Sequence, residues 1–342
     1  MRAIVVGAGA VGLFCAYALG ARGAHVTVLE AQERGARPAR AASRAAAGML
    51  APYSESLGER VGAHPRLLDL SLSSLALWRA QGPQLAPGGF HQRGAALTGY
   101  PEPALTGLAA LVGARGGRAQ WRTAPDGAPA LYLADESAID PDLMLAGLAR
   151  AVAARGGDLQ FGARAAVVEA HRVTLADGRR LDADWVIAAP GVWGGDLAAC
   201  LRTLTPTKGQ IAELASEAFA PGEMLRAPDV YVLGRTPGRV LVGASMEPGR
   251  DDLHTDQAII ASLVARAAAR VPGLGDARLT RAWAGVRPMT ADGAPRIGPV
   301  DGIVFAYGHS RNGWLLAPIT AQIVCAHVFG APLDDLWASF RP

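Results

Sequence analysis

Apolar and polar positions change period several times along this chain, and each change marks an element. Arg2 to Val6 (RAIVV) is a short β-branched run and predicts a strand. From Ala10 to Arg22 the apolar positions Val11, Phe14, Ala18 and Leu19 follow helical spacing, and Gly23 provides a stop. His25 to Leu29 (HVTVL) reads as a second strand, ending on Glu30. Asp140 to Gly157 predicts a helix with Leu143, Leu145, Leu148 and Val152 on one face. Leu159 to Asp184 alternates and turns at Asp177–Gly178, which predicts a hairpin or meander. Trp185 to Gly191 (WVIAAPG) and Ile303 to Tyr307 are short buried strands. Pro228 to Glu247 predicts two strands joined at Thr236 to Gly238. Trp314 to Phe329 is apolar without an acid and predicts a final buried helix. Gly82 to Gly127 reads as loop-rich, and no internal repeat is visible.

The first strand, turn and helix carry GAGAVG, with Gly7, Gly9 and Gly12 at GxGxxG spacing. Gly7 permits the tight turn, Gly9 lets a pyrophosphate approach the backbone, and Gly12 lets the helix pack on the strand. The helix N-terminus, from Ala10 and Val11, offers free N–H groups and partial positive charge to phosphates. Glu30, followed by Ala31, stands where a carboxylate accepts hydrogen bonds from ribose hydroxyls. An acid there disfavours a 2′-phosphate. The fingerprint alone leaves FAD and NAD open.

Composition narrows the class. The chain has 342 residues, 50% hydrophobic and 18% charged, which fits a globular protein of two structural units and not a disordered one. The net charge of +3 comes from scattered arginines, with Lys208 the only lysine, so no nucleic-acid footprint is visible. Cys15, Cys200 and Cys325 lie far apart in apolar stretches without metal-ligand spacing. They read as buried thiols in a reducing compartment. Ala3 to Ala21 is uncharged but holds four glycines and divides into strand, turn and helix, so no membrane span is expected. The strand at residue 2 leaves no room for a targeting segment, and a cytoplasmic location is expected.

Two further blocks bear on the cofactor. Ala42 to Glu55 reads ASRAAAGMLAPYSE. By itself AAAGML reads as an ordinary helix start. Arg281 to Gly302 reads RAWAGVRPMTADGAPRIGPVDG, and Gly308 to Pro318 reads GHSRNGWLLAP. Together with the glycine fingerprint these three blocks, in order across the whole chain, resemble the glycine oxidases of the D-amino-acid oxidase superfamily, those associated with thiamine biosynthesis. Val286 stands where that family usually has leucine.

The resemblance implies an α/β fold. A Rossmann-like FAD-binding domain (1–80, 137–203 and 281–342) is interleaved with an α+β substrate domain on a mostly antiparallel sheet (81–136 and 204–280). It implies that Ala42 and Ser43 meet a phosphate, and that Ala47, Gly48 and Met49 lie beside the flavin ring. Ala165 stands where relatives place a valine whose backbone meets the adenine, and Gly191 ends a strand that reaches the cofactor. His309, Ser310, Arg311, Asn312, Gly313, Trp314 and Leu315 lead into the last helix, aimed at the flavin pyrimidine end. A helix N-terminus there stabilises the negative charge that builds on reduction. Sarcosine oxidases of the superfamily often attach flavin through a cysteine soon after the arginine. Met289 and Thr290 stand in that region here, so FAD is expected to be non-covalent.

For the substrate, the resemblance implies that Arg287 clamps a carboxylate, by two parallel hydrogen bonds if the geometry allows. Tyr231 adds a third bond, Met246 forms an apolar wall, and Arg311 contributes a backbone carbonyl near the amine. Taken alone, a Tyr or Met in a strand is more often core. His309 is expected to line the site through its backbone and not to act as a base. The expected reaction is oxidation of glycine or another small amino acid, with oxygen or another electron acceptor; the expected assembly is a homo-oligomer. The alternatives are a D-amino-acid or cyclic imino-acid dehydrogenase, and a flavoprotein subunit of an electron-transfer complex. An NAD-dependent dehydrogenase is disfavoured by the flavin-loop block.

Overall fold

The computed structural model describes residues 1–36, 40–57 and 64–342. Part of the Ala/Arg-rich stretch after Glu30 lies outside the described residues. Among them, a six-stranded sheet runs in the order Arg296–Val300, Ile303–Tyr307, Trp185–Ala188, Arg2–Val6, His25–Glu30, Asp158–Phe161. Every neighbouring pair is parallel except the first. The strands are apolar on both sides because both faces are covered. On one face Val5, Val26, Ile187 and Val304 pack with the Ala10–Gly20, Pro141–Ala153 and Gly313–Phe329 helices. On the other, Ile4, Val6, Val186 and Phe305 pack with the meander Ala165–Glu169, Arg172–Leu175, Arg180–Asp182.

Gly313–Phe329 is buried on nearly all sides, as its uniform apolarity requires. It packs most extensively against Ala10–Gly20. Gly12 lets that first helix approach the turn before it: a Cβ there would lie closer than 3.0 Å to the Gly7 carbonyl oxygen.

A nine-stranded sheet forms the second layer system. Its longest pairing lies near one edge, where Thr205–Ala215 runs antiparallel along its length with Arg278–Met289. The neighbours are antiparallel throughout except Ala95–Thr98 beside Met224–Arg226. The Glu102–Ala114 helix covers one face and Gln257–Arg270 the other. The mostly antiparallel α+β architecture is the one expected. A division at 280/281 cuts the Arg278–Met289 strand, whose whole length belongs to the large sheet.

Four other local expectations are corrected. Gly82 to Gly127 is not mainly loop: it contains the Glu102–Ala114 helix and the strands Phe90–His91, Ala95–Thr98 and Ala119–Thr123. Asp158–Phe161 joins the parallel sheet and not the meander, because Leu159 packs with the helical face and Ala165 with the opposite one. Leu143 is exposed (47%), since the helical period carries Met144, Leu145, Leu148 and Val152 inward and leaves 143 outside that stripe. AAAGML does not start a helix. A single turn, Ala42–Ala45, ends there, and Met49–Leu50 pairs with Ser137–Ile139. Several helices were not anticipated: Pro52–Ser56, the long Leu67–Leu85, Gln257–Arg270, and the short Asp335–Ala338 after the last apolar helix. Among the described residues, no helix is long and apolar enough to cross a membrane.

Candidate active site

A cavity of about 730 Å³ lies between the two large sheets. At one end it is framed by the C-terminal ends of the parallel strands, where open α/β sheets bind ligands. Gly7 turns the chain there with φ +103°, and a Cβ on it would meet the Ala189 carbonyl. Gly9, Ala10 and Val11 line the cavity at the start of the Ala10–Gly20 helix, which has no side-chain N-cap bond. Ser43 comes in from the second block, and its Oγ accepts from Ala10 N at 3.2 Å. The glycine turn and the Ser43 turn therefore meet at one helix N-terminus. Glu30 lines the same end, with its carboxylate accepting from Ala8 N and Gln32 N, each at 3.0 Å. Ala31, Ala42, Ala165 and Gly191 complete this wall among the expected residues. The lining fits a dinucleotide: the cavity is walled largely by Gly and Ala along this side and passes a helix N-terminus suited to phosphates.

At the other end, Gly209, Gly285, Val286 and Arg287 of the large sheet face His309, Ser310, Arg311, Gly313 and Trp314. Strand pairing places Gly209 opposite Gly285. A Cβ on Gly285 would strike Ala45 Cβ, and one on Gly209 would strike the Arg287 guanidinium. Trp283 donates to Ala45 O at 2.8 Å, and Trp314 to Ser43 O at 2.8 Å. Two indoles thus tie the Ala42–Ala45 turn to both layers. Arg287 Nη1 donates weakly to Lys208 O (3.4 Å) and Ser245 O (3.3 Å), and lies 3.8 Å from Met246 Sδ. Burial lowers its pKa, and nearby Tyr231 opposes that shift. Arginine stays charged nonetheless. Tyr231, expected at the substrate end, lines neither cavity: it packs against the core under the large sheet on a rung with Gly243, where its ring fills the space of the missing Cβ. Burial pushes its phenol up to about 12, so it is a hydrogen-bond donor at neutral pH.

His309 is 4% exposed and its Nε2 meets Thr320 Oγ1 at 2.9 Å. Burial lowers its pKa to about 3, so the ring is neutral at neutral pH. Gly313 and Trp314 bring the N-terminus of the last long helix to the cavity, and Asn312 makes no side-chain cap bond.

Several expected residues stand behind the wall and do not line this cavity. Gly12 is packed on Gly7, Ala47 joins the core under the large sheet, and Met49 packs on its edge. Gly48, at φ +92°, lies against Ile139, where a Cβ would meet the carbonyl. Leu315 is core, and its carbonyl accepts from Ser74 Oγ at 2.6 Å. Met246 is 37% exposed and, with Asn312, lines a smaller cavity of about 70 Å³ that meets the large one at Ser310 and Arg311.

Sequence reasoning assigned no role to Glu55, Arg226 or Gly209. Glu55 lines the small cavity and binds Arg226 at 2.7 Å and Arg311 at 2.8 Å. Burial opposes its charge, yet the two arginines outweigh burial and hold its carboxyl below the ordinary range. The only signal was the charge of Arg226 beside apolar Met224 and Leu225. Cys15 and Cys325 are buried but Cys200 is only half-buried, at the outer edge of its cluster, and none of the three lines the cavity.

Comparison with known proteins agrees with this geometry. A glycine oxidase of Bacillus licheniformis is 34% identical over 174 residues, covering 49% of this chain and 47% of that one. The bifunctional protein ThiO/ThiG of Synechocystis sp. is 31% identical over 367 residues, 99% of this chain and 53% of its own. The matched stretch thus spans about half the length of these curated relatives. The crystal structure of glycine oxidase from Geobacillus kaustophilus superposes with a TM-score of 0.88 at 28% identity, covering 99% of this chain and 98% of that one. Residues 2–327 match the family described as FAD dependent oxidoreductase, and the chain belongs to that family.

Proposed function

We propose that this chain catalyses the oxidative deamination of glycine or another small amino acid. The observation that carries the reading is Arg287: a half-buried guanidinium that no carboxylate among the described residues bonds, at the end of the cavity opposite the dinucleotide turn. The other cation at that end, Arg311, is already bonded to Glu55. Arg287 receives the substrate carboxylate, and Tyr231 adds a neutral donor. These bonds orient the amino acid, its amine neutral, and present its Cα–H to the ring end of the cavity, where proximity lowers the barrier. Bound FAD supplies a two-electron acceptor for the hydride leaving Cα and passes the pair to oxygen, giving hydrogen peroxide, or to another acceptor.

The N-terminus of Gly313–Phe329 favours negative charge at the cavity end it faces. The amine enters neutral, because the buried neutral His309 is engaged with Thr320 and is no base. The product imine hydrolyses to a 2-oxo acid and ammonia. The Ser43 turn, the Ala10–Gly20 N-terminus and Glu30 hold the dinucleotide. In this reading FAD is held non-covalently; among the described residues no cysteine thiol lines the cavity. Three unpaired cysteines suit a reducing, cytoplasmic setting.

The test is an anaerobic visible spectrum of the holoprotein titrated with glycine, sarcosine, D-alanine and D-proline, then opened to air. Bleaching by glycine with fast recovery in air is expected. Bleaching by the larger substrates alone, with slow recovery, replaces glycine by a D-amino or imino acid and oxygen by another acceptor. No bleaching by any of them refutes the reading.

A further inference from the structure

Glu136 is the one fully buried carboxylate (0% exposed) among the described residues, and the reaction above does not use it. It precedes the Ser137–Ile139 strand, which pairs with Met49–Leu50. Its carboxylate accepts two bonds from one residue of the Pro52–Ser56 helix. Ser54 N donates to Oε1 at 2.7 Å, and Ser54 Oγ donates to Oε2. Pro52 begins that helix, and no side chain caps its N-terminus. A buried acceptor for a first-turn N–H therefore fixes the turn. The next residue is Glu55, which bridges Arg226 and Arg311, and Arg311 stands where the two cavities meet.

We propose that Glu136 is a positioning residue of the substrate end: through Ser54 it sets the turn that carries Glu55, and Glu55 sets the Arg311 guanidinium. This rests on the reading of Arg287 and its neighbours as a carboxylate site.

The charge on Glu136 has a second consequence. The groups that face it are Tyr53 and Glu55 from the same short helix, Arg226 from the large sheet, and Tyr100. Its neighbour Asp135 is held by Arg79 and Arg118. Burial pushes Glu136 up to about 7, against the Ser54 bonds that favour the ionised form. Ionisation adds a negative charge beside Arg226, competes with Glu55 for it, and lowers the positive potential that an incoming carboxylate meets.

The experiment measures glycolate binding to the FAD-loaded enzyme by the change in flavin absorbance, at pH 6 and pH 8. Glycolate is a carboxylate with no amine to titrate. The wild type is expected to bind roughly threefold more weakly at pH 8. Glu136→Gln keeps both contacts, with the amide oxygen accepting from Ser54 N and the amide nitrogen donating to Ser54 Oγ. It does not ionise, so its affinity should be the same at both pH values. Ser54→Ala should weaken binding at both pH values, and Ser54→Thr, which keeps the hydroxyl, should restore it. A flat wild-type profile, or the wild-type slope in Glu136→Gln, overturns the inference. Ser54→Ala that binds glycolate as the wild type does also overturns it, should the Gln variant fail to fold. A wild-type enzyme that binds no glycolate at either pH refutes the carboxylate site itself, and the inference with it.

Discussion

The Arg287 guanidinium lies over Gly209, in the space that a Cβ on residue 209 would occupy. The two residues are on paired strands, with Thr207 opposite Arg287 and Gly209 opposite Gly285. Side chains two residues apart share a face of a strand, so the arginine folds along its neighbour onto the glycine. Gly209→Ala should therefore displace the guanidinium without touching the dinucleotide turn. The expected result is a glycine KM raised about tenfold, roughly 1.4 kcal/mol, with FAD affinity unchanged. An unchanged KM would show that Arg287 does not need this position.

Arg287→Ala should weaken binding of carboxylated substrates by roughly 2–5 kcal/mol while FAD stays bound. Arg287→Lys should recover only part, because an ammonium lacks the planar fork. Steady-state kinetics with glycine, beside the flavin spectrum of each variant, checks both. Unchanged KM and kcat in Arg287→Ala would refute the clamp.

Gly12→Ala tests the first turn. Its methyl would press on the Gly7 carbonyl and lift the Ala10–Gly20 helix from the Arg2–Val6 strand. Overpacking of this kind destabilises by roughly 1–3 kcal/mol. Urea unfolding of the apoprotein should show that loss, and FAD should bind more weakly than to wild type. A variant with wild-type stability and affinity would contradict the packing role.

His309 has a folded pKa of about 3, lowered by burial. No limb of the kcat profile between pH 5 and 8 should belong to it. His309→Gln can change the rate, but the shape of the profile in that window should persist. Loss of a limb on this substitution would make His309 a titrating participant.

Glu136 ionises near 4.5 when unfolded and near 7 when folded. Between those values the folded state holds the extra proton, so stability falls as pH rises through this window and levels off above it. The loss is on the order of 3 kcal/mol. Urea unfolding at pH 5 and pH 8 should show a decline in wild type that Glu136→Gln reduces. Equal declines would place the titration elsewhere.

Much of the nucleotide end is legible along the chain because its parts are sequence neighbours. Gly7, Gly9 and Gly12 turn one strand into one helix, and Glu30 ends the next strand. Their spacing follows from local geometry, and the parallel sheet, the apolar last helix and the 231–243 hairpin follow from hydrophobic period. The blocks holding Ser43 and Arg287 were recognisable by resemblance, although nothing in their local pattern says that they face one cavity.

Tertiary closure decided the rest. Glu55 meets Arg226 across 171 residues, and Glu136 meets Ser54 across 82. Whether such groups pair depends on strand register and on how the two sheets close, and a one-residue slip would turn either partner to the other face. Leu143 shows the same limit in a helix, where the inward stripe is set by what the helix packs against. The chain's own pattern therefore determined most strands of the parallel sheet, the first and last long helices, the dinucleotide turn and the family's three blocks. The contact of Gly209 with Arg287 and the ionic set around Glu55 were decided by packing between distant strands, because burial of a charge is settled only when its partner arrives.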